Sequence, residues 1–571
     1  MKLLRFAKQF SITVVVTFAI SFLSPTAAQA KLVLIEGNDP AAILFDPLTV
    51  NDISLRMSSA DFESLKYPNV DWQNEGDWRR TTMQITVAGK KYGPYTVGVH
   101  LKGAWGSWRD VTGKAAFKIK MNAFVKGQTL FGLTKLTLNN MVQDRSYIHE
   151  FMTYQLMRSS GLPAPRTGYS NVSLNGINYG LHLNVETVDK RMLARWGITS
   201  EKIYKGSLPN FPDFYPGNEY AYTIESGTDT DRSDLANFLN INQLDGEAWW
   251  QEISQATDME LVTRQWAAEL YAGHWDGYLL NRNNYFINFD ENGKVLLMSW
   301  GVDQTWGGSP NYFGFGTLLP TKCMGSQSCK TVYYQSLAKV ADTAQKLNLG
   351  YLAQSVVNAI APAILADPMG PGEAAFGDQA AAINQESWRK GEINQFVIPW
   401  DATINAVKVN NLRFQVADVV YLPSSNSKAT ISAVTRQPDA ITDVLEMRLI
   451  PGENKVVLTV ISPNGEVSVD HEINLYLLTQ HSEKLTTTFP KSSSFPAKTS
   501  SYAPLIQKLT KAKIIELTIT RPTNSSNTIF EKRLAAFKSA LKVKGIAAYR
   551  LNLKTAKMPI DQLLIEAKYQ N

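Results

Sequence analysis

From Phe45 to about Trp400 the apolar positions follow two rhythms. Alternation with period two predicts strands over 83–87 and 95–102, on either side of a turn at Ala88-Gly89-Lys90, and another over 117–121. Residues 171–174 and 177–184 flank Asn175-Gly176, a pair that tolerates the left-handed backbone of a tight hairpin. Helical spacing governs 147–158, which stops at Gly161-Leu162-Pro163, and about 258–273. A β-rich first part followed by a more helical second part predicts an α+β fold for 31–400.

The pattern changes after Trp400. Residues 401–480 read as strands throughout, with turns at Pro451-Gly452 and Pro463-Asn464-Gly465, which predicts a small β-sandwich. The run Leu449-Ile450-Pro451-Gly452-Glu453-Asn454 with the strand after it resembles bacterial Ig-like and cadherin-like modules. Residues 481–503 are rich in Ser, Thr, Lys and Pro and read as a linker. A small basic α/β module follows over 504–571: a strand at 514–520, a helix at 529–543 capped by Gly545, and a strand at 547–553.

Composition narrows the class. Of the 571 residues 44% are hydrophobic and 19% charged, which suits globular domains with real cores. Lys2, Arg5 and Lys8 precede an apolar stretch, and Ala28-Gln29-Ala30 is a small-x-small site, so residues 1–30 read as a secretory signal peptide. No later stretch is apolar enough to span a membrane, and the protein is expected to be secreted or extracytoplasmic. Cys323 and Cys329 flank a short flexible loop, and an exported protein meets oxidants, so they are expected to pair. The net charge of +6 is uneven: residues 504–571 hold thirteen Lys/Arg against four Asp/Glu. An anionic cell-surface polymer is therefore a candidate partner for that module. The six histidines show no metal-ligand spacing, and no basic patch interleaved with aromatics points to nucleic acid.

The stretch with the most chemistry is His274-Trp275-Asp276-Gly277-Tyr278-Leu279-Leu280-Asn281, the H-x-D-x-x-x-x-N spacing of a phosphotransfer catalytic loop. A helix precedes it. A predicted hairpin follows, with strands at 284–289 and 294–300 around Asp290-Glu291-Asn292-Gly293, and Asp303 comes just after. Residues before the first strand and after the second share the open end of a hairpin, so Asp276, Asn281 and Asp303 should converge. Phosphoryl transfer needs two acids: one orients the acceptor hydroxyl, and one holds a divalent ion against the phosphates. Asp276 suits the first role, and Asp303 with Asn281 the second.

These segments resemble the CotH kinases, a family of spore-coat-type atypical secretory kinases. The resemblance covers about residues 45–320, and it rests on Asn284-Tyr285 and the later aspartate, on Lys114-Ala115-Ala116-Phe117-Lys118-Ile119-Lys120, and on Tyr179-Gly180-Leu181-His182-Leu183-Asn184-Val185-Glu186. It implies a two-lobed kinase-like domain that uses ATP and Mg2+ or Mn2+ on an exported protein substrate. It makes Asn284 a rival of Asn281 as metal ligand. It offers Lys114, or else Lys118, as the cation facing the phosphates, with Glu150 as a helix partner for that lysine. Glu186 would stand near the nucleotide hinge. Ala104, after Gly103, departs from the hydroxyl or amide residue usual in the family's small-residue loop. Two other readings stay open: AMP transfer or glutamylation on the same fold, and a non-catalytic surface adhesion protein.

Sequencing the exported form is expected to return Lys31 as its first residue; residues 1–30 still attached would contradict the signal-peptide reading.

Overall fold

The computed structural model describes residues 39–571 except 74–75, 229–230, 309–310, 313, 417–418, 489–502, 511, 513, 524–526, 545, 547–549, 558–561 and 571. Residues 1–30, most of the expected linker and the expected cap at Gly545 therefore lie outside the described residues. The fold is mixed α+β.

Seven strands close into a barrel: β1 (Val50–Met57), β2 (Arg79–Val87), β3 (Lys90–Lys102), β4 (Ala116–Lys120), β5 (Lys135–Asn139), β6 (Thr167–Leu174) and β7 (Ile177–Val185). Their order is β1-β2-β3-β4-β5-β7-β6, and β1 pairs with β6 in parallel to complete the ring. Closure leaves no strand edge to aggregate. Alternation supplies the interior: Ile53 and Leu55 from β1, Val97 and Val99 from β3, and Phe117 and Ile119 from β4 point inward and are buried. The β6–β7 turn is the Asn-Gly pair read from the sequence, with φ of 51° and 83°. Helix α1 (Ser59–Ser64) connects β1 to β2, and α2 (His149–Ser159) connects β5 to β6.

The next region is mainly helical around one four-stranded sheet. After α3 (Lys190–Arg195) come β8 (Ser200–Gly206), β9 (Thr223–Ser226), β10 (Tyr285–Asp290) and β11 (Val295–Ser299), ordered β11-β10-β8-β9. The helices are α4 (Ser233–Asn240), α5 (Gly246–Ala256), α6 (Met259–Ala272), α7 (Tyr278–Asn281), α8 (Leu318–Met324), α9 (Gln327–Leu347), α10 (Leu349–Leu365) and α11 (Ala374–Val397). Helix α6 begins and ends as its sequence dictates. Asp258 accepts from the backbone N–H of Glu260 and Leu261, and Gly273 stops the helix at φ +70°. Its flanks are buried nearly all round, with Trp266, Ala267, Leu270 and Tyr271 in the main core. Cys323 and Cys329 are bonded to each other and join α8 to α9. Among the described residues no helix is long and apolar enough to cross a membrane.

Two buried ionic groups fasten the barrel to the rest, and both use residues expected in the nucleotide site. Lys114 Nζ lies 2.5 Å from Asp367 Oδ2 and 2.7 Å from the Tyr147 hydroxyl, with Lys114 only 5% exposed. Asp367, just past α10, also accepts from the backbone N–H of Leu181 on β7. Glu186 receives Arg166 through two bonds of 2.6 and 3.1 Å and Arg195 at 2.7 Å, while Arg166 reaches on to Asp39. The two arginines hold the Glu186 carboxyl below its usual range despite its burial. Lys114 and Glu186 thus spend their charges on protein partners.

Beyond Trp400, eight strands form two sheets: β12 (Ile404–Val409), β13 (Leu412–Gln415), β15 (Lys428–Thr435) and β17 (Val444–Arg448) in one, and β14 (Val420–Leu422), β16 (Ile441–Thr442), β18 (Gly452–Ile461) and β19 (Ser468–Leu477) in the other. Val407, Ile431, Leu458 and Leu475 belong to one apolar cluster drawn from both sheets. Tyr334 of α9 stacks on Trp400 at 5.0 Å where this unit meets the helices. The last unit has the order β20-β23-β21-β22, from β20 (Gln480–Thr488), β21 (Ile514–Pro522), β22 (Arg550–Ala556) and β23 (Gln562–Gln570). Its helices are α12 (Ala503–Leu509) and α13 (Asn527–Val543). Residues 481–488, expected as linker, are instead part of β20: β23 offers a full row of backbone partners, and threonine accepts an extended backbone readily.

Removing one member of a buried ion pair strands the other. Asp367→Ala is expected to cost about 3–5 kcal/mol of stability, read as a lower urea midpoint for the barrel and helical region.

Candidate active site

The site forms where the ends of several elements meet. Helix α6 stops at Gly273, and the chain turns through His274-Trp275-Asp276 into the single turn of α7. Gly277 permits this: a Cβ there would lie 2.5 Å from the His274 ring and 3.0 Å from Glu269 Oε2. Asn281, at the end of α7, then donates back to Asp276 Oδ1 at 2.5 Å. Asn283 donates to the same oxygen at 3.1 Å, and Asn284 donates to Oδ2 at 2.9 Å. The Asp276 carboxylate is thereby oriented by three amides.

Asn284 also carries the connection to Asp303. Its carbonyl accepts from the N–H of Trp300 at 2.8 Å, and its side chain lies against Gly301, where a Cβ would approach to 2.9 Å. Gly301 takes φ +56° and turns the chain into the short 3-10 segment Val302–Gln304, which carries Asp303. The Asp303 backbone carbonyl is within 2.9 Å of His149 Nδ1 at the start of α2. Desolvation pushes the Asp303 carboxyl up to about 6, and Asp144 and Asp276 nearby add to it while Lys102 opposes. Among the described residues no other side chain hydrogen-bonds or pairs with that carboxylate.

The facing wall comes from the barrel and α2. Glu150, 2% exposed, accepts from Asn139 Nδ2 at 2.6 Å. Lys102, the last residue of β3, donates to the Asn139 oxygen. Burial drives the Glu150 carboxyl up and the Lys102 ammonium down, each to about 8, and each moderates the other. Lys118 on β4 and Lys205 on β8 stand close enough to Lys102 to lower it further. The structure therefore gathers Asp276, Asn281, Asn284, Asp303, Glu150 and Lys118 at one crevice, and leaves Lys114 and Glu186 outside it. The expectation that Lys114 faces the phosphates is corrected by its bond to Asp367, and the cation opposite Asp303 is Lys102.

Several residues of the site went unread in the sequence. Lys102 ended a predicted strand beside Gly103, where its alternation with His100 could have assigned it a face. Asn139 and Asn283 carry no spacing signal. Beneath the loop, Glu269 is buried, bonded to the Ser299 hydroxyl, and raised by desolvation to about 7.

Among the described residues no three His, Cys, Asp or Glu side chains lie together as a metal site. The donor set at the crevice is of another kind. Among the described residues no side chain hydrogen-bonds to the Asp303 carboxylate, and Asn281 and Asn284 spend their amide nitrogens on Asp276, so their carbonyl oxygens remain for a ligand. Hard oxygen donors of this type fit magnesium or manganese in company with phosphate oxygens.

Comparison with known proteins gives two matches. A family model described as CotH kinase protein matches residues 99–390, just over half of the chain. The inner spore coat protein H of Bacillus subtilis (strain 168) is 24% identical over 195 residues, covering 32% of this chain and 53% of that protein. The chain thus spans about half the length of this curated relative.

Glu150 generates a test of the electrostatics. An acid raised by the fold stays protonated there while the unfolded chain has already ionised, so stability falls as pH rises from about 4.5 toward 8. Glu150→Gln is expected to flatten the decline of melting temperature between pH 5 and 8; an unchanged slope would contradict the assignment.

Proposed function

Because this chain belongs to the CotH kinase protein family, we propose that it is an extracytoplasmic protein kinase that moves the γ-phosphoryl group of ATP to Ser or Thr of exported proteins. The observation that carries the reading is the pair of unlike acids at one crevice: Asp276, bound by three amides, and Asp303, which no described side chain hydrogen-bonds and which lies near Lys102. The acceptor hydroxyl oxygen bonds to the γ-phosphorus as the bond to the ADP oxygen breaks, and the hydroxyl proton passes to Asp276. The amides of Asn281, Asn283 and Asn284 fix the direction from which Asp276 receives it. Asp303, with the side-chain oxygen of Asn281 or Asn284, would hold Mg2+ or Mn2+. The ion, when bound, offsets phosphate charge. Lys102 and Lys118 meet the phosphates from the barrel side, and Glu150 with Asn139 keeps Lys102 in place.

The barrel and the helical region then correspond to the two lobes of a kinase-like fold. The paired sheets after Trp400 are read as an Ig- or cadherin-like module. The basic last unit is read as a holdfast for an anionic surface polymer. A coat-associated or otherwise extracellular location suits both additions and the name of the Bacillus relative.

The reading is tested with labelled ATP and magnesium or manganese on the intact protein. Label from the γ position is expected on protein. Asp276→Asn should lower turnover by about 10²–10⁴ with nucleotide affinity little changed, whereas Asp303→Ala should weaken metal–nucleotide binding itself. Transfer from α-labelled ATP instead would replace the phosphoryl reading with nucleotidyl transfer.

A further inference from the structure

Behind the crevice lies a buried arginine whose hydrogen-bond partners are all neutral. Arg389 of α11 is fully buried, and its guanidinium donates to three backbone carbonyls: Nη1 to Tyr271 at 2.9 Å, and Nη2 to Gly307 at 2.7 Å and Gly308 at 3.2 Å. Among the described residues no carboxylate pairs with it, and Glu392 of the same helix acts on it only at a distance. Its Nε has no partner, and desolvation works against the charge. A buried cation without a counter-charge is costly. The guanidinium carbon lies 5.3 Å from the centre of the Trp306 ring, where an apolar side chain of the same length would also pack.

What the three carbonyls share is their place in the chain. Tyr271 stands in the last turn of α6, five residues before Asp276, where helix carbonyls lack partners within the helix. Gly307 and Gly308 come four and five residues after Asp303. The two segments lie against each other: the N–H of Trp306 donates to the carbonyl of Ala272 at 2.7 Å, and a Cβ on Gly273 would lie 3.2 Å from the Gly307 oxygen and 2.8 Å from Arg389 Nη2. Gly307 and Gly308 offer no side chain, so only their backbone can be held. A guanidinium suits the task, since its rigid fork of five donors can bridge carbonyls of two segments at once. Its charge also sits at the negative end of α6.

We propose that Arg389 is a positioning residue that fixes the distance between Asp276 and Asp303 by tying the end of α6 to Gly307 and Gly308. Asp303 is then held from two sides, by His149 on its own carbonyl and by Arg389 on the residues that follow it. The clasp stands on geometry alone, while its consequence for turnover rests on the phosphotransfer reading above. In that reading Asp303 sets where the nucleotide sits and Asp276 where the acceptor hydroxyl sits. A change in their separation therefore falls on transfer rather than on nucleotide binding.

Two variants of the full-length protein test this. Arg389→Met keeps the bulk and loses every donor, and Arg389→Lys keeps the charge on a stem without a fork. For both, hydrogen–deuterium exchange read by mass spectrometry is expected to rise about tenfold in peptides covering 271–277 and in those covering 303–308, with β1, β2 and β3 unchanged. Where the wild type transfers γ-label, kcat is expected to fall about 10²-fold with KM for ATP little changed. Should Arg389→Met fail to fold, Arg389→Lys carries both measurements. Exchange that rises in neither segment or in only one, or that rises across the barrel as well, overturns the proposal, as does wild-type turnover in either variant. A wild type that transfers no γ-label ends the phosphotransfer reading instead, and the exchange pattern still decides the clasp.

Discussion

Asn281, Asn283 and Asn284 all donate to the carboxylate of Asp276, and each belongs to a different part of the scaffold. Asn281 ends α7. The Asn283 oxygen accepts from the hydroxyl of Ser207 and the N–H of Leu208, just past β8. Asn284 opens β10 and leans on Gly301 after β11. One carboxylate is thus the point at which a helix end and three strand ends are held in register. The donors are neutral, so orientation is achieved without placing a cation on the acid. The local cation, Lys102, is left to face the opposite side of the crevice.

That division has a thermodynamic cost. Asp303, Glu150 and Lys102 are desolvated together; the two carboxyls repel each other, and the attraction of Lys102 does not restore any of the three to its ordinary range. A chain folding for stability alone would replace them with apolar residues or pair them closely. A polyanion with its metal ion would supply the charges that this set lacks: cations beside the acids and phosphates beside Lys102 and Lys118. Perturbed groups facing each other across a crevice are a common mark of a working site. The sealed groups elsewhere, Lys114 with Asp367 and Glu186 with Arg166, show how the same fold satisfies a buried charge when it has only to hold elements together.

Much of this architecture was legible from local order along the chain. The Asn-Gly hairpin, the cap and stop of α6, and the disulfide partners each depend on residues close in sequence. The convergence of Asp276 with Asp303 was legible for the same reason, since a hairpin returns the chain to where it left. Residues 480–488 show the limit of composition. A Ser- and Thr-rich stretch reads as linker until a partner strand is present, and β23 lies about eighty residues away.

What the sequence by itself determined, then, was the main set of elements and the approach of Asp276 to Asp303, because both follow from periodicity and short spacings. The tertiary structure alone decided which lysine lies beside Asp303. Lys114 and Lys102 are equally plausible as letters near the barrel's strand ends. Their difference lies in what each ammonium meets. Lys114 meets Asp367, 253 residues away, while Lys102 meets Asn139 and the field of Glu150 and Asp303. A charged side chain takes its role from its neighbours in space, and those neighbours exist only once the chain has closed.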